Sequence, residues 1–367
     1  MPNVLIHADT VRSAELRHEV PLLIGDPFVY VEQNGLRRVY TSSLEAPRLE
    51  ELGGLDVVVV EELGFDELMA SGLDRPAIER ELVLRACRHS EIDAAAVPRT
   101  FPLETADHLR ANGVELRPDG DLFDERRRVK SEEELQGIRR AQRGAEAAME
   151  GIRARLREGG EVTCEELQGI ALRTFTEHGL TAPDALIVSH GAQTAIGHEA
   201  GHGTVASGEP IVCDLFPQDT RSGCFADMTR TFSLGEPAEQ LVEFHRLCLE
   251  SLDRVYESIR AGITGKELHA ISCKPFEEAG YKTQLSKQPG EVLEEGFSHS
   301  LGHGVGLEVH EEPGLGRTGG ELVEGDVVAI EPGLYRKGFG GCRVEDLVRV
   351  TADGCERITD FPYDLTP

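Results

Sequence analysis

The sequence predicts an α/β domain over residues 1–127, followed by an α+β domain over residues 128–367 with an internal pseudo-twofold repeat. Short apolar runs alternate with helical patterns in the first third of the chain, as they do in compact α/β domains. In the rest of the chain, a pattern of two helices followed by acid-bearing strands occurs twice, which indicates duplication. At 367 residues, the chain is long enough for two domains with sizeable cores.

The N-terminal domain is defined by strands and helices in alternation. The strands are predicted at Phe28–Val31, Val39–Tyr40, Val57–Val60 and Ala94–Val97, and the helices at Leu44–Leu52, Pro76–His89 and Leu103–Asn112. Pro76 suits the first turn of its helix, because a backbone N–H at that position would have no partner within the helix. The domain has no glycine-rich phosphate loop or acid–histidine cluster, so we expect a scaffold or a cover for substrate.

The domain boundary is marked by a basic run, Arg126–Lys130. Four cations are too few for a nucleic-acid patch, so a solvated linker is expected. Directly after it, Ser131 and Glu134 have the S-x-x-E spacing of a capping box. An apolar stripe from Leu135 to Leu156 then predicts one long helix.

The repeat begins with matching helix caps. Thr163 and Glu166 have the spacing of one capping box, and Thr264 and Glu267 have it again 101 residues later. Two core positions and the helix-ending glycine also match, namely Leu167 with Leu268, Phe175 with Phe276 and Gly179 with Gly280.

The strands of the two halves match as well, and each carries an acid. The segment PIVCDLF (210–216) parallels VVAIEPG (327–333), and FADMTRTF (225–232) parallels RVEDLVRV (343–350), so Asp214 corresponds to Glu331 and Asp227 to Glu345. A carboxylate in an apolar strand is costly unless a cation or hydrogen bonds compensate it. A single such acid is equally well explained as a salt-bridged core residue, but four in matched positions indicate metal.

Each pair of acids is predicted to face its partner across a hairpin. Asp214 and Asp227 flank a turn near 220–223, and a simple hairpin would set them directly opposite each other. Four converging carboxylates repel, and several would protonate unless cations were present. Two divalent cations would cancel the formal charge and activate a bridging water. Oxygen-rich ligation favours Mn²⁺, with Co, Zn and Fe left open.

The order of these motifs resembles that of the pita-bread metallopeptidase family, on the branch that contains aminopeptidase P and prolidase. The motifs are the two aspartates, HSLGHGVGLEVHEEP (299–313), EPGLY (331–335) and RVED (343–346), within residues of about 130 to 355. The first domain is similar in length and placement to the creatinase-type domain of that branch. The resemblance implies metal ligation by Asp214, Asp227, His303, Glu331 and Glu345. It further implies substrate or transition-state roles for His198 and His310, with Arg343 beside the site.

The sequence departs from the family pattern between the two aspartates. Phe216 stands where the family usually has glycine, and Asp227 follows Asp214 by thirteen residues rather than eleven. Two extra residues preserve the pairing parity of a hairpin, so both acids can still share a face.

Each histidine also has a simpler explanation. His303 lies between two glycines, which suits close approach to a metal, although a histidine packed in the core could have the same neighbours in sequence. His310 could be a surface-loop residue, and His198 an ordinary histidine of a glycine-rich loop. His299 could support the site by hydrogen bonding alone.

Composition limits the partners. Acidic residues outnumber basic ones 66 to 38, giving a net charge of −28, which argues against nucleic acid and anionic membranes. Eight scattered cysteines without a CxxC pair suggest neither a thiolate zinc site nor a disulfide framework. A cytoplasmic protein is expected, and the family resemblance adds a homodimer.

The predicted two-metal site, taken with the family resemblance, implies a dinuclear metal-dependent exopeptidase that hydrolyses Xaa–Pro bonds, as an aminopeptidase P or a prolidase. Its substrate would be a peptide or dipeptide with proline at the second position, and Glu331 would shuttle the proton to the leaving nitrogen. Two alternatives remain, a metal-free creatinase-like C–N hydrolase and a catalytically inactive peptide-binding protein on the same fold.

Overall fold

The computed structural model describes residues 2–367 and divides after Arg127 into two compact units. A long helix, α7, begins at Glu132, near the start of the larger unit. No helix within residues 2–367 combines the length and the apolar character that crossing a bilayer requires.

A six-stranded mixed sheet forms the centre of the first unit. Its strands are β1 (Val4–Ala8), β2 (Phe28–Gln33), β3 (Leu36–Thr41), β4 (Asp56–Val59), β5 (Ala94–Val97) and β6 (Glu115–Pro118). They lie in the order β4-β3-β2-β1-β5-β6, with β1–β2 and β2–β3 antiparallel and the other pairs parallel. The four predicted strands are confirmed, whereas β1 and β6 were missed.

Helices cover both faces of this sheet. They are α1 (Ala14–Glu19), α2 (Ala46–Leu52), α3 (Phe65–Ala70), α4 (Arg75–His89), α5 (Leu103–Ala111) and α6 (Gly120–Arg128), with a 3₁₀ helix at Val60–Leu63. Successive β1 residues belong to opposite cores, since Leu5 packs in one apolar cluster and Val4 and Ile6 pack in another. The predicted start of α4 is confirmed, because the Asp74 side chain caps it and Pro76 lies in its first turn.

The basic run at 126–130 is not a solvated linker, so that prediction is wrong. Arg126 lies in α6 and donates to Glu19 and Glu32, each at 2.8 Å. In the second unit, Lys130 donates to Glu311 at 2.5 Å, and both side chains are at most 4 % exposed. The clustered charges therefore form ion pairs within each unit, most of them withdrawn from water.

The second unit is built on four helices, α7 (Glu132–Glu158), α8 (Cys164–Glu177), α9 (Glu239–Tyr256) and α10 (Gly265–Glu278). The predicted capping box of α7 forms, because Ser131 Oγ accepts from the Glu134 N–H and the Glu134 carboxylate accepts from the Ser131 N–H. The predicted apolar stripe of α7 is buried from Leu135 to Leu156.

The helical repeat is confirmed with one difference between the halves. Thr264 and Glu267 form a complete capping box at α10. At α8 only the Thr163 half forms, because the Glu166 carboxylate is drawn to Arg155 at 2.6 Å. The glycines that follow the two helices, Gly179 and Gly280, both have positive φ (71° and 91°), as helix-ending glycines often do.

Short strands form the remaining layer of the second unit. They are β7 (Leu180–Thr181), β8 (Ile187–His190), β9 (Pro210–Leu215), β10 (Gln218–Asp219), β11 (Met228–Ser233), β12 (Glu295–Gly296), β13 (Gly302–Gly304), β14 (Glu311–Leu315), β15 (Val327–Ile330), β16 (Gly333–Arg336), β17 (Gly340–Arg343), β18 (Asp346–Val350) and β19 (Cys355–Arg357). They form one five-stranded sheet in the order β14-β13-β15-β18-β19, two three-stranded sheets in the orders β11-β9-β8 and β12-β16-β17, and the two-stranded pair β10-β7. A 3₁₀ helix at Gly191–Ala195 follows β8.

A buried arginine ties the C-terminal segment to these sheets. Arg230 in β11 is 1 % exposed and forms an ion pair with Asp346 at 2.8 Å. Its guanidinium also donates to the backbone carbonyls of Phe361 and Pro362, at 2.7 and 2.9 Å, and to that of Glu345 at 2.8 Å. One side chain thus joins β11, β18 and the segment around Phe361.

Candidate metal centre

The two halves of the second unit meet along β11 and the β17–β18 segment. The Glu345 N–H donates to the Thr229 carbonyl at 3.0 Å. The Thr231 hydroxyl donates to the Arg343 carbonyl at 2.8 Å and accepts from the Arg343 N–H at 3.0 Å. Asp227 directly precedes β11, and Glu345 directly precedes β18. The contacts therefore bring the acids of the two halves to one place.

The predicted direct opposition of Asp214 and Asp227 is wrong. Asp214 faces Thr229, so the register differs by two residues from that of a simple hairpin. The connection is not a plain turn, since β10 within it pairs with β7 and Gln218 bridges to Phe225. A shift of two residues keeps both acids on one face, because side chains alternate with period two. The acids are thus diagonal neighbours, with Cα atoms roughly 7–8 Å apart in such an arrangement.

The second pair of acids, Glu331 and Glu345, lies at adjacent positions on neighbouring strands. Ile330 in β15 faces Asp346 in β18, and Glu331 and Glu345 are the residues next to that pair. The hairpin between them, β16–β17, belongs to another sheet. This agrees with the predicted opposition of the two glutamates.

A cavity of about 520 Å³ opens at this meeting point. Its wall includes every residue for which the sequence predicted a role at the site, namely Asp214, Asp227, His303, Glu331, Glu345, His198, His310, Arg343 and His299. The two halves thus converge on one cavity, as the repeat predicted.

The acids of this cavity are buried and repel one another. Asp227 is 4 % exposed and Glu345 is 2 % exposed. Burial, reinforced by the charge of Glu345, lifts the pKa of both Asp227 and Glu331 well above the usual carboxyl range. Burial and the charge of Asp214 raise the pKa of Glu345 to about 8. The protein alone therefore cannot hold all of these groups ionised at neutral pH.

Arg343 supplies a positive charge inside the cluster. Its buried guanidinium donates to Asp214 Oδ2 and, at 3.2 Å, to the Thr229 hydroxyl. It also donates to the Tyr335 hydroxyl at 3.4 Å. The Thr229 hydroxyl in turn donates to Glu345 Oε2 at 2.6 Å. Arg343 and Thr229 thereby fix the orientation of two of the acids.

Two partly buried imidazoles lie beside the carboxylates. His303 Nε2 is 3.7 Å from Asp227 Oδ2 and 3.8 Å from Glu331 Oε1. Burial, with the nearby His310, lowers the pKa of His303 to about 4. His299 lies within hydrogen-bond distance of the Tyr335 hydroxyl, at 2.9 Å, and burial together with Arg343 lowers its pKa to about 3. Both rings are therefore neutral at physiological pH, and His303 can offer a lone pair to a metal.

His198 and His310 are exposed side chains on the cavity wall. The His310 ring packs edge-on against His303, with centroids 4.2 Å apart. The partial loss of water around its ring inside the cavity, together with the neighbouring His198, lowers the pKa of His310. Both imidazoles are thus placed to touch a bound molecule from outside the acid cluster.

The side chains of this cluster fit divalent metal. One ligand atom from each of Asp227, His303 and Glu345 lies within 4.8 Å of the other two. Within residues 2–367, the buried atoms Asp214 Oδ1 and Asp227 Oδ1 have no hydrogen-bond partner. Buried carboxylate oxygens are normally satisfied, so these two are suited to a cation. With His303 as the single imidazole, the donors are those preferred by harder ions.

Sequence reasoning assigned no role to two residues of this network. Tyr335 closes the EPGLY motif and contacts both His299 and Arg343, but only its position in that motif could have drawn attention to it. Thr229 faces Asp214 in the sheet, and its role depends on the register that was predicted wrongly.

Known proteins share both this sequence and this architecture. The family model of metallopeptidase family M24 matches residues 136–352. An Xaa-Pro dipeptidase of Pyrococcus horikoshii is 33 % identical over 280 residues, covering 75 % of each chain. An Xaa-Pro dipeptidase of Pyrococcus furiosus is 32 % identical over 70 % of each chain.

Solved structures extend the likeness over the whole chain. An X-Pro aminopeptidase from Thermotoga maritima superposes with a TM-score of 0.81 at 24 % identity, covering 99 % of this chain and 97 % of that one. An Xaa-Pro dipeptidase from Bacillus anthracis superposes with a TM-score of 0.82 at 25 % identity, covering 100 % and 94 %. The pita-bread fold with an N-terminal α/β domain is thereby confirmed.

A duplicated fold with an acid-rich, imidazole-containing cavity at its centre defines a metal-dependent hydrolase. The family match and the identity to its relatives go further: the chain belongs to metallopeptidase family M24 and is a metallopeptidase. The resemblance seen in the sequence motifs is therefore confirmed.

Proposed function

We propose that this protein is a dinuclear metal-dependent exopeptidase that hydrolyses the bond between a first residue and a following proline. The observation that carries the proposal is the convergence of Asp214, Asp227, His303, Glu331 and Glu345 on one cavity. These five side chains would hold the two cations. The four negative charges of the carboxylates would be balanced by the four positive charges of two divalent cations, which removes the repulsion among the acids.

The substrate class is supported by the relatives. Two proteins at least 32 % identical to this chain are named Xaa-Pro dipeptidases. The similar structures include both an X-Pro aminopeptidase and an Xaa-Pro dipeptidase. We therefore propose a dipeptide with proline second as the preferred substrate, and longer Xaa–Pro peptides as the second candidate.

The roles of the side chains follow from their places. When bound, the cations would polarise the scissile carbonyl and activate a water for attack. Glu331 would accept a proton at a carboxylate oxygen and deliver it to the proline nitrogen as the C–N bond breaks. His198 would donate a hydrogen bond to the oxygen that gains charge during attack. His310 would contact the substrate, and Arg343 would hold Asp214 in place.

The metal-free and inactive alternatives are not favoured. Both would leave buried oxygens of Asp214 and Asp227 without partners, and both would keep repelling acids in one cavity without a cation. We further propose Mn²⁺ as the native ion, a cytoplasmic location and a homodimer. Metal analysis of native protein and light scattering of the purified chain test the first and last of these.

The proposal is tested by reconstitution. Chelated protein should regain hydrolysis of Ala-Pro when Mn²⁺ is added, with two ions bound per chain at full activity. Ala-Ala, which lacks the proline ring, is the matched substrate control and should be cleaved far more slowly. Absence of Ala-Pro hydrolysis with Mn²⁺, Co²⁺, Zn²⁺ and Fe²⁺ alike would refute the function, and cleavage of Ala-Pro-Ala in preference to Ala-Pro would favour the second candidate.

A further inference from the structure

One acid on the cavity wall lies outside the proposed ligand set. Asp184 precedes β8 and lines the same cavity. Its side chain is exposed, and no residue within 2–367 forms an ion pair or hydrogen bond with it. An unpaired carboxylate at the mouth of a binding cavity can attract a cation that arrives with the substrate.

The strand register sets an upper limit on the distance between Asp184 and the metal centre. Ile187, the first residue of β8, faces Asp214 directly in the sheet. Asp184 is three residues before Ile187, so the Cα atoms of Asp184 and Ile187 are at most about 10 Å apart. A lysine or arginine side chain extends its charge roughly half that distance or more from its own Cα. A residue whose carbonyl lies at the metal centre could therefore direct a long cationic side chain toward Asp184.

The wall near Asp184 suits the stem of such a side chain. Ala185, Ile187 and Phe216 line the cavity with it, and none carries a charge. Lysine and arginine lay their aliphatic stems along apolar surface while their charged ends remain in water. The exposed Asp184 carboxylate can pair with the charged end of such a side chain. The α-amino group of the substrate has no aliphatic stem that could pack against the apolar residues of this wall.

We propose that Asp184 gives this enzyme a preference for Xaa–Pro substrates in which the first residue is lysine or arginine. The inference rests on the proposed function and specifies its substrate class. An ion pair at such a solvent-exposed position should raise kcat/KM about two- to fivefold over an uncharged side chain of the same shape.

The test compares Lys-Pro with norleucyl-proline, which has a side chain of similar length without the charge. In the metal-loaded wild type, Lys-Pro should have the higher kcat/KM by the stated factor, and 1 M salt should shrink the difference because it screens exposed charges. Asp184→Asn should bring the ratio of the two substrates close to one, chiefly through loss of Lys-Pro activity. Asp184→Lys should favour Glu-Pro over Lys-Pro.

A matched control separates this local effect from the strong negative charge of the whole protein. Asp353 is an exposed acid outside the cavity, and Asp353→Asn should leave the substrate ratio at its wild-type value. A wild-type kcat/KM ratio of Lys-Pro to norleucyl-proline near one would overturn the role of Asp184. Equal losses of kcat/KM for both substrates in Asp184→Asn would also overturn it, because they would indicate that Asp184 binds the α-amino group common to both. If the metal-loaded wild type hydrolyses neither Ala-Pro, Lys-Pro nor norleucyl-proline, the proposed function falls, and this inference falls with it.

Discussion

Once its metal has been removed, the native protein should lose stability as pH rises from 5 to 7.5. The carboxyls of Asp227, Glu331 and Glu345 have pKa values above those of the unfolded chain. The native state therefore binds more protons than the unfolded state in this range, and the free energy of unfolding falls as pH increases. The stability contributed by these protonated acids is fully present below the pKa that each acid has in the unfolded chain. It is lost as pH rises toward the higher pKa that the acid has in the folded protein.

Glu345 gives the magnitude. Its pKa rises from 4.5 to about 8 in the folded protein, where its side chain is almost fully buried. Since each pH unit between the two pKa values is worth about 1.4 kcal/mol, this group alone should cost about 3 kcal/mol of stability between pH 5 and pH 7.5. For a unit of this size, that corresponds to a fall in Tm of about 6–12 °C.

Calorimetry of chelated protein across this pH range measures the effect. Glu345→Gln should lose about that much of the pH dependence, because it removes one titrating acid while keeping its shape. Glu324→Gln, at an exposed position outside the cavity, should retain the wild-type slope. A chelated wild type whose Tm depends on pH no more steeply than that of Glu345→Gln would refute the mutual repulsion of the acids.

Three further outcomes are expected. Mn²⁺ at a hundred times its Kd should raise the stability of chelated protein by about 2.7 kcal/mol, and an unchanged melting curve with Mn²⁺, Co²⁺ and Zn²⁺ would count against the site. Glu345→Gln should keep the fold but lose at least one ion and nearly all activity; two retained ions with normal turnover would make Glu345 a core acid. His198→Ala should keep two ions and the wild-type Tm while turnover of Ala-Pro falls about a hundredfold.

The His198 variant has a close control in the same loop. His202 is also exposed but lies outside the cavity wall, so His202→Ala should retain full turnover. Loss of bound metal in His198→Ala would make His198 a ligand or a structural residue, and unchanged kinetics would make it an ordinary loop histidine.

Much of the second unit could be predicted because its determinants are local. The cap of α7 depends on Ser131 and Glu134, three residues apart, and the helix-ending glycines mark both halves of the repeat. The acids stood out because each interrupts an apolar run. Their convergence could be inferred from the repeat alone, without knowledge of any contact.

Features that depend on distant partners could not be predicted. Strand β1 was missed because its pairing partners, residues 28–32 and Ala96, are far along the chain. The register of Asp214 depends on β10 pairing with β7 rather than on the hairpin sequence itself. The basic run was misjudged for the same reason, since Glu32 and Glu311, which neutralise Arg126 and Lys130, are 94 and 181 residues away.

The contacts of Arg230 set the order in which the catalytic unit can be completed during synthesis. Its guanidinium joins β11, the carbonyl of Glu345 and the carbonyls of Phe361 and Pro362. Until residues 361 and 362 have left the ribosome, a buried cation in the strand next to Asp227 lacks some of its partners, and a missing partner of a buried charge typically costs about 3–5 kcal/mol. The N-terminal unit can fold while translation continues, whereas the acid cavity must wait until residues 361 and 362 have been made. The nascent protein would therefore acquire metal only after that segment has docked against β11.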